Sequence, residues 1–442
     1  MNLVWHRADL RTHDHQALDT ALKAGPTLGL VVFDPLILNA TSARRRAWFY
    51  ANTKALREAY AKRGGTLLVR TGKPWEVLPK LVAELGIHQV FAVKNSTPYA
   101  KFRDQQTEDA LSGRIGWLEG QYIQEPGHIV KPDGTPYTVF TPYSKRWWMS
   151  DQGRALPAPE RFSAVKLAAG YPFGDIPEEK SDIELPAAGE EPALKALEVF
   201  LREKLPNYHQ TRDRLDGSGT SRLSPYFTLG VLSPRLAAQK ALKVGGEGAR
   251  KWVSELAWRD FSGDLLYHPP QMLKTAFDPR WESLPEVDDP ELYDAWLHGQ
   301  TGIPVVDAAM RELQATGFVS NRARMVVAQF AVKLALMYWS KAERDYRNLL
   351  LCGCNASNLQ GWQWAGGLGV DAAPYFRVFN LTNQALTHDP GGEWLKKWVP
   401  ESKGNPEPYK KPVLDLEAAR RRYLAAAEKI AKSGPRQAPP KG

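Results

Sequence analysis

The sequence predicts two parts: an N-terminal α/β domain built on a doubly wound parallel sheet, then an all-α C-terminal domain. Two observations point to the sheet. Residues 1–125 alternate apolar runs with helical stretches, and runs such as LGLVVF at 28–33 show no polar alternation, as expected of strands buried on both faces. A third observation separates the halves. From Ala193 onward apolar residues recur at helical spacing, as in Val305, Val306, Ala309, Met310 and Leu313.

In order, strands are expected at 3–5, 28–33, 66–70, 89–93 and 117–123, with helices at 14–23, 43–63, 75–85 and 98–111 between them. Ligands of such sheets sit beyond the strand C-termini. Those ends carry His6-Arg7, Asp34-Pro35, Gly72-Lys73 and Asn95-Ser96. No GxGxxG follows a strand, so a nicotinamide-dinucleotide fold is not indicated. Residues 126–192 lose periodicity and read as an interdomain linker, with the aromatics of 137–148 an ordered island. Residues 193–425 form the helical domain, including a helix over 322–338, and 426–442 a flexible basic tail. The stretch 352–380 shows neither period despite Trp362 and Trp364. It reads as a long functional loop lying against something flat that is not protein.

The bulk properties exclude several classes. The chain has 442 residues and no apolar run long enough to span a bilayer. Two cysteines rule out a disulfide framework and fit a reducing cytoplasm. A net charge of +9 is compatible with a polyanionic partner. There is no HExxH, Walker loop, GxSxG or zinc-spaced Cys/His cluster, so no metal site is expected.

Four constellations remain. Thr220, Ser221 and Ser224 place hydroxyls ahead of a short helix, an arrangement that suits a phosphate and equally fits plain N-capping. Glu255, Trp258 and Arg259 share one helical face, as a base-stacking and hydrogen-bonding set or as an ion pair beside a core tryptophan. Arg322 and Arg324 fall on different faces of their helix, as phosphate contacts or as solvated arginines. Trp362 and Trp364, with Asn358, project differently, and both rings also suit a core.

Taken together and in this order, LVWHRADLRTHDH, TSRLSPYF, ELAWRDF, TGIPVVDAAMRELQATG, NRARM and GWQWAGG with APYFRVFN resemble the DNA photolyase/cryptochrome family, most nearly its class I cyclobutane pyrimidine dimer photolyases. The likeness covers about residues 1–425. It implies an N-terminal antenna domain and a helical FAD-binding domain. Tyr208, Thr220, Ser221, Arg222, Leu223 and Ser224 match the FAD-holding segment. Trp252, Glu255, Asn321, Arg324, Cys352, Cys354 and Asn358 match positions around the flavin, with Asn358 facing its reactive nitrogen. Trp258 and Trp364 match the wedge for a flipped lesion, Asn321 and Met325 line its pocket, and Arg212, Arg259, Arg322 and Lys333 are phosphate contacts. Flipping itself is a general property of photolyases. The implied chemistry is light-driven electron donation from FADH⁻ to a pyrimidine dimer, in a cytoplasmic monomer acting on UV-damaged DNA. Glu255 stabilises the dimer and Trp362 and Trp339 supply electrons to the flavin. Members acting on (6-4) lesions carry histidines where this chain has Asn321 and Met325, which points to cyclobutane dimers. A flavin-type antenna is a further expectation, with Arg46, Asn95 and Lys101 as contacts. The other readings are a blue-light photosensor without repair and a nucleotide-binding protein that has lost its flavin.

Two positions depart from the family pattern. Cys352 and Cys354 stand where it has aspartates, the first of them the partner of the arginine matching Arg324. A thiol is a weak hydrogen-bonding group unless ionised, and a neighbouring guanidinium favours the thiolate. Glu286 stands where the family has its third, outermost tryptophan, while Trp281 lies close by in sequence.

Overall fold

The computed structural model describes residues 1–268, 270–372 and 374–435. It divides into two compact units, each assembled from three stretches of chain. The first comprises Met1–His128, Met149–Leu205 and Leu223–Asp260; the second comprises Ile129–Trp148, Pro206–Arg222 and Phe261–Gly442.

The first unit holds the predicted sheet. Its strands are β1 (Asn2–His6), β2 (Thr27–Phe33), β3 (Leu67–Thr71), β4 (Gln89–Val93) and β5 (Ile115–Leu118). They are ordered β3-β2-β1-β4-β5, and every neighbouring pair is parallel. The order reverses direction at β1, and right-handed crossovers running both ways from one strand put helices on both faces. Every residue of β1 and β2 is accordingly buried, and their central runs, 3–5 and 28–33, carry no polar side chain. Within β2, Gly29 has a packing reason, because a Cβ there would lie 2.8 Å from the Tyr60 ring.

The fifth strand stops earlier than predicted, at Leu118 instead of residue 123, and the reason is a competing set of acceptors. One oxygen of Glu125 accepts the backbone N–H groups of Gly120, Gln121 and Tyr122. Asp260 accepts those of Ile123 and Gln124. Those donors are therefore lost to the ladder. Arg11, fully buried, donates to the carbonyls of His13, Asp14, Gly120 and Gly230, tying the loops around β1 together. Residues 150–189 lack helix and strand, as expected of the linker. They are nevertheless pinned: Arg44 pairs with Asp182, Arg46 with Glu179, and Phe162 packs on Tyr60 at 4.5 Å between ring centroids. Phe140–Met149 is a helix, in keeping with the ordered island.

The second unit is helical. Pro304–Thr316 is buried along most of its length and ends on Gly317 in the left-handed region. Ser320 caps the next helix, Asn321–Gln329, by accepting from the Ala323 N–H. The sequence suggests one helix from 322 to 338. Instead Phe330–Leu334 widens into a π turn, and Leu336 sits at φ 51°. In that turn Lys333 is buried and donates to the carbonyl of Arg377 at 2.9 Å. It is therefore not a phosphate contact, contrary to the expectation from sequence. Trp339–Leu349 turns Trp339, Ala342, Glu343 and Tyr346 inward.

The stretch 352–380 is not a structureless loop. Asn355–Gly366 is a helix that ends on Gly367 in the left-handed region. Buried residues occur around most of its circumference, so no polar face existed to betray a helical period. The tail is also more ordered than predicted: Leu416–Lys432 is a helix packed through Tyr423, Ala427 and Ile430. Positions 436–442 lie outside the described residues.

Candidate active site

In the second unit, chemistry gathers on three consecutive helices. Arg324 extends from Asn321–Gln329 with its Nε donating to the Val319 carbonyl and one Nη 3.3 Å from Cys352 Sγ. Among the described residues no carboxylate lies within ion-pairing distance of it. Burial works against the Arg324 charge, yet the facing Cys352 sulfur, with help from Tyr346, holds its pKa above the ordinary value. The Cys-for-Asp replacement thus leaves the guanidinium with a sulfur partner, as the thiolate expectation requires. Cys354 is the N-cap of the next helix and makes no side-chain cap bond.

Asn358 is buried on Asn355–Gly366 and donates from Nδ2 to Glu343 Oε1 at 2.7 Å. Glu343 also accepts from Arg347, which in turn holds Asn355. This fixes the amide: its nitrogen points to Glu343, so its oxygen is the atom left to meet a ligand. Burial raises the Glu343 pKa, while Arg347 and Asn358 oppose the shift. Glu343 was missed in the sequence because an acid at that helix position looks like half of an i,i+4 pair with Arg347, which it also is.

Trp362 is buried with its ring 5.5 Å from Tyr346 and 6.2 Å from Trp296, whereas Trp364, two residues on, is only half-buried. The two therefore project differently, as expected. Trp339 is buried. Asn321 is exposed at the start of its helix and contacts Met325 Sδ at 3.8 Å. Arg322 pairs with Asp213 at 3.1 Å, and Arg212 lies 3.8 Å from the same carboxylate. Arg322 and Arg324 thus do serve different faces.

Along the segment that precedes Ser224–Thr228, Tyr208 is buried and Thr220 Oγ1 donates to the Gly217 carbonyl. Gly219 is packed so tightly that a Cβ would fall 2.4 Å from the Thr211 carbonyl oxygen. Arg222 adopts φ 54°, unusual for a side-chain-bearing residue. Its guanidinium lies over Phe318 at 4.7 Å and 3.7 Å from Glu312. Leu223, not a hydroxyl residue, occupies the N-cap of Ser224–Thr228, and no side chain caps that helix.

In the first unit, Trp252, Glu255, Trp258 and Arg259 lie on Gly246–Tyr267. Trp252 is core, packed on Phe200 at 5.0 Å, while Glu255, Trp258 and Arg259 form a half-buried stripe. Arg259 donates to the Gln121 carbonyl at 2.9 Å and lies over Tyr122 at 4.5 Å, so its guanidinium already has protein partners. A small recess opens at the switch point of the sheet, lined by Arg7, Asp9, Val93, Lys94, Asn95 and Gln121. Asn95 is at this recess, whereas Arg46 is occupied by Glu179. The structure also brings His6, Asp9 and His15 together, a grouping the sequence spacing did not suggest. His6 is hydrogen-bonded to the Asp9 carbonyl and to Tyr60, and His15 lies 2.9 Å from Asp9 and accepts from the Leu18 N–H. Both His6 ring nitrogens and His15 Nδ1 are hydrogen-bonded, while His15 Nε2 faces Asp9 Oδ2 at 2.9 Å without hydrogen-bond geometry, which makes the group a buried polar network.

Among the described residues, a half-buried cation facing a sulfur, an amide with one oriented oxygen and a series of buried indoles suit an electron-rich aromatic cofactor. FAD meets that description: Arg324 suits its electron-rich ring, and hydroxyl residues ahead of a short helix suit its diphosphate. The comparisons make this specific. A family model described as DNA photolyase matches residues 2–160, and one described as the FAD binding domain of DNA photolyase matches residues 252–429. The deoxyribodipyrimidine photo-lyase of Thermus thermophilus is 54% identical over 431 residues, covering 97% of this chain and 99% of that protein. Among solved structures, a class III photolyase from Agrobacterium tumefaciens superposes with a TM-score of 0.87 at 27% identity, covering 98% of both chains. A cryptochrome from Synechocystis superposes with a TM-score of 0.86 at 26% identity, covering 96% of this chain and 99% of that one. The chain belongs to the DNA photolyase family.

Proposed function

We propose that this protein is a light-dependent deoxyribodipyrimidine lyase that splits cyclobutane pyrimidine dimers in UV-damaged DNA. The observation that carries this reading is the 54% identity, over nearly the whole length of both chains, to a protein named for that activity. FAD, when bound in its reduced form, supplies the light-excited electron that opens the cyclobutane ring. The protein's own residues do the rest.

Arg324 and the flanking Cys352 set the charge around the flavin, and Cys354 lies beside them. Asn358, held by Glu343, presents its oxygen as an acceptor for a protonated ring nitrogen, which favours the reduced cofactor. Tyr208, Thr220, Ser221, Arg222, Leu223 and Ser224 hold the dinucleotide, with Trp252 packing beside the pocket. Glu255 hydrogen-bonds the dimer, Trp258 and Trp364 stack on it, and Asn321 and Met325 complete its pocket. Neither of the last two is histidine, which selects cyclobutane dimers over (6-4) lesions. Arg212, Arg259 and Arg322 position backbone phosphates, and Trp362 and Trp339 relay electrons to the flavin. The switch-point recess is where a flavin-type antenna binds. We place the enzyme in the cytoplasm as a monomer. Among the described residues no helix is long and apolar enough to cross a membrane.

The test is to irradiate a dimer-containing oligonucleotide with blue light, protein and reductant, and to follow dimer loss against a dark control. Light-dependent loss is expected. Bound flavin without dimer loss would leave a photosensor, and protein that takes up no flavin would leave neither.

A further inference from the structure

A shallow recess in the second unit is lined by Trp281, Glu282, Leu284, Glu286, Met337 and Trp339, among others. Two aromatic groups meet there. On the inner side, the indole nitrogens of Trp296, Trp339 and Trp362 and the phenol of Tyr346 are buried without a hydrogen-bond partner among the described residues. An oxidised indole loses its N–H proton only to a base within hydrogen-bond reach. A one-electron hole on these inner rings therefore stays protonated and mobile.

On the outer side the surroundings change. Trp281 is buried but shares the recess with two exposed carboxylate residues, Glu282 and Glu286. Its ring also contacts Tyr375 at 6.0 Å between centroids, and Tyr375 contacts Phe376, which is 63% exposed. An aromatic path out of the core thus ends beside solvent and negative charge, both of which stabilise a cationic hole.

We propose that Trp281 is the outer electron donor of this protein, and that Glu286, on the same recess, stabilises its cationic form electrostatically. One electron passes from Trp281 to oxidised Trp339, restoring Trp339 and leaving an indole radical cation on Trp281. The indole proton goes to water. A thiol from solution then returns a hydrogen atom to the neutral Trp281 radical and leaves as a thiyl radical. The proposal rests on the reading of Trp339 and Trp362 as the relay to a bound flavin.

Purified protein carrying oxidised FAD is illuminated anaerobically with blue light and excess dithiothreitol, and bleaching of the flavin absorbance is timed. Trp281→Phe is expected to slow bleaching by about an order of magnitude, and adding Glu286→Trp to that variant is expected to restore most of the rate. Bleaching of Trp281→Phe at the wild-type rate would overturn the proposal. A second readout needs no variant. After illumination in air without thiol, peptide mass spectrometry should find light-dependent oxygen adducts on Trp281, and adducts on Trp339 with none on Trp281 would also overturn it. Wild-type protein reduced beforehand with dithionite, then assayed on dimer-containing DNA, tests the repair reading separately, because it needs no electron from Trp281.

Discussion

Arg324 is a half-buried cation whose nearest counter-group among the described residues is the sulfur of Cys352, 3.3 Å away. A thiolate balances it where a neutral thiol does not. Removing one partner of a buried pair costs about 3–5 kcal/mol. Arg324 is only half-buried, so Cys352→Ala is expected to lower the unfolding free energy by less than that, while Cys352→Asp should keep or raise it; urea melts of both variants check this. A second residue acts through its neighbour. Glu343→Leu removes the acceptor that fixes the Asn358 amide, and the amide then turns freely. The expected result is protein that purifies with a larger fraction of oxidised flavin, read from its absorbance spectrum, at unchanged flavin content. The two cases were not equally legible. A Cys-x-Cys in place of carboxylates stands out in any sequence that resembles the family. Glu343 stays hidden because its second partner is fifteen residues away, on another helix.

At the scale of elements, helices with one apolar face were readable and helices buried on several sides were not. Pro304–Thr316 showed its period plainly; Asn355–Gly366, rich in glycine and tryptophan, showed none. The π turn was invisible because what widens it is tertiary, the buried Lys333 reaching the Arg377 carbonyl. Burial, then the nearby Arg377 charge, pushes the Lys333 pKa down to about 7. The other group against its ammonium is the Tyr423 ring, at 5.6 Å. The folded state releases this proton more readily than the unfolded chain does. Stability therefore rises with pH between the folded value near 7 and the ordinary lysine range, by at most about 1.4 kcal/mol per pH unit. Denaturant melts from neutral to alkaline pH should show this rise in wild type relative to Lys333→Met. A flat difference between the two would contradict it.

On the scale of the whole molecule, the net charge of +9 is compatible with a polyanionic partner and names none. Binding to dimer-containing DNA should weaken linearly on a log–log plot against salt, with a slope of about −0.9 per phosphate neutralised. Arg322 is held by Asp213, so Arg322→Ala should reduce that slope by about 1 if the residue turns to phosphate on binding. Filter binding or anisotropy across a salt series gives the number. The parallel sheet was legible because strands buried on both faces cannot afford polar alternation. The division into two units was less so, since each collects three separate stretches of chain and no local signal marks such an exchange.

The carboxylates that end the fifth strand have one more consequence. Between them Glu125 and Asp260 hold the amides of five consecutive residues, from Gly120 to Gln124. Hydrogen exchange is usually slow in helices and strands and fast in loops. Here a loop outside both should keep its amide protons as long as the sheet beside it does, and Glu125→Gln should release three of them together.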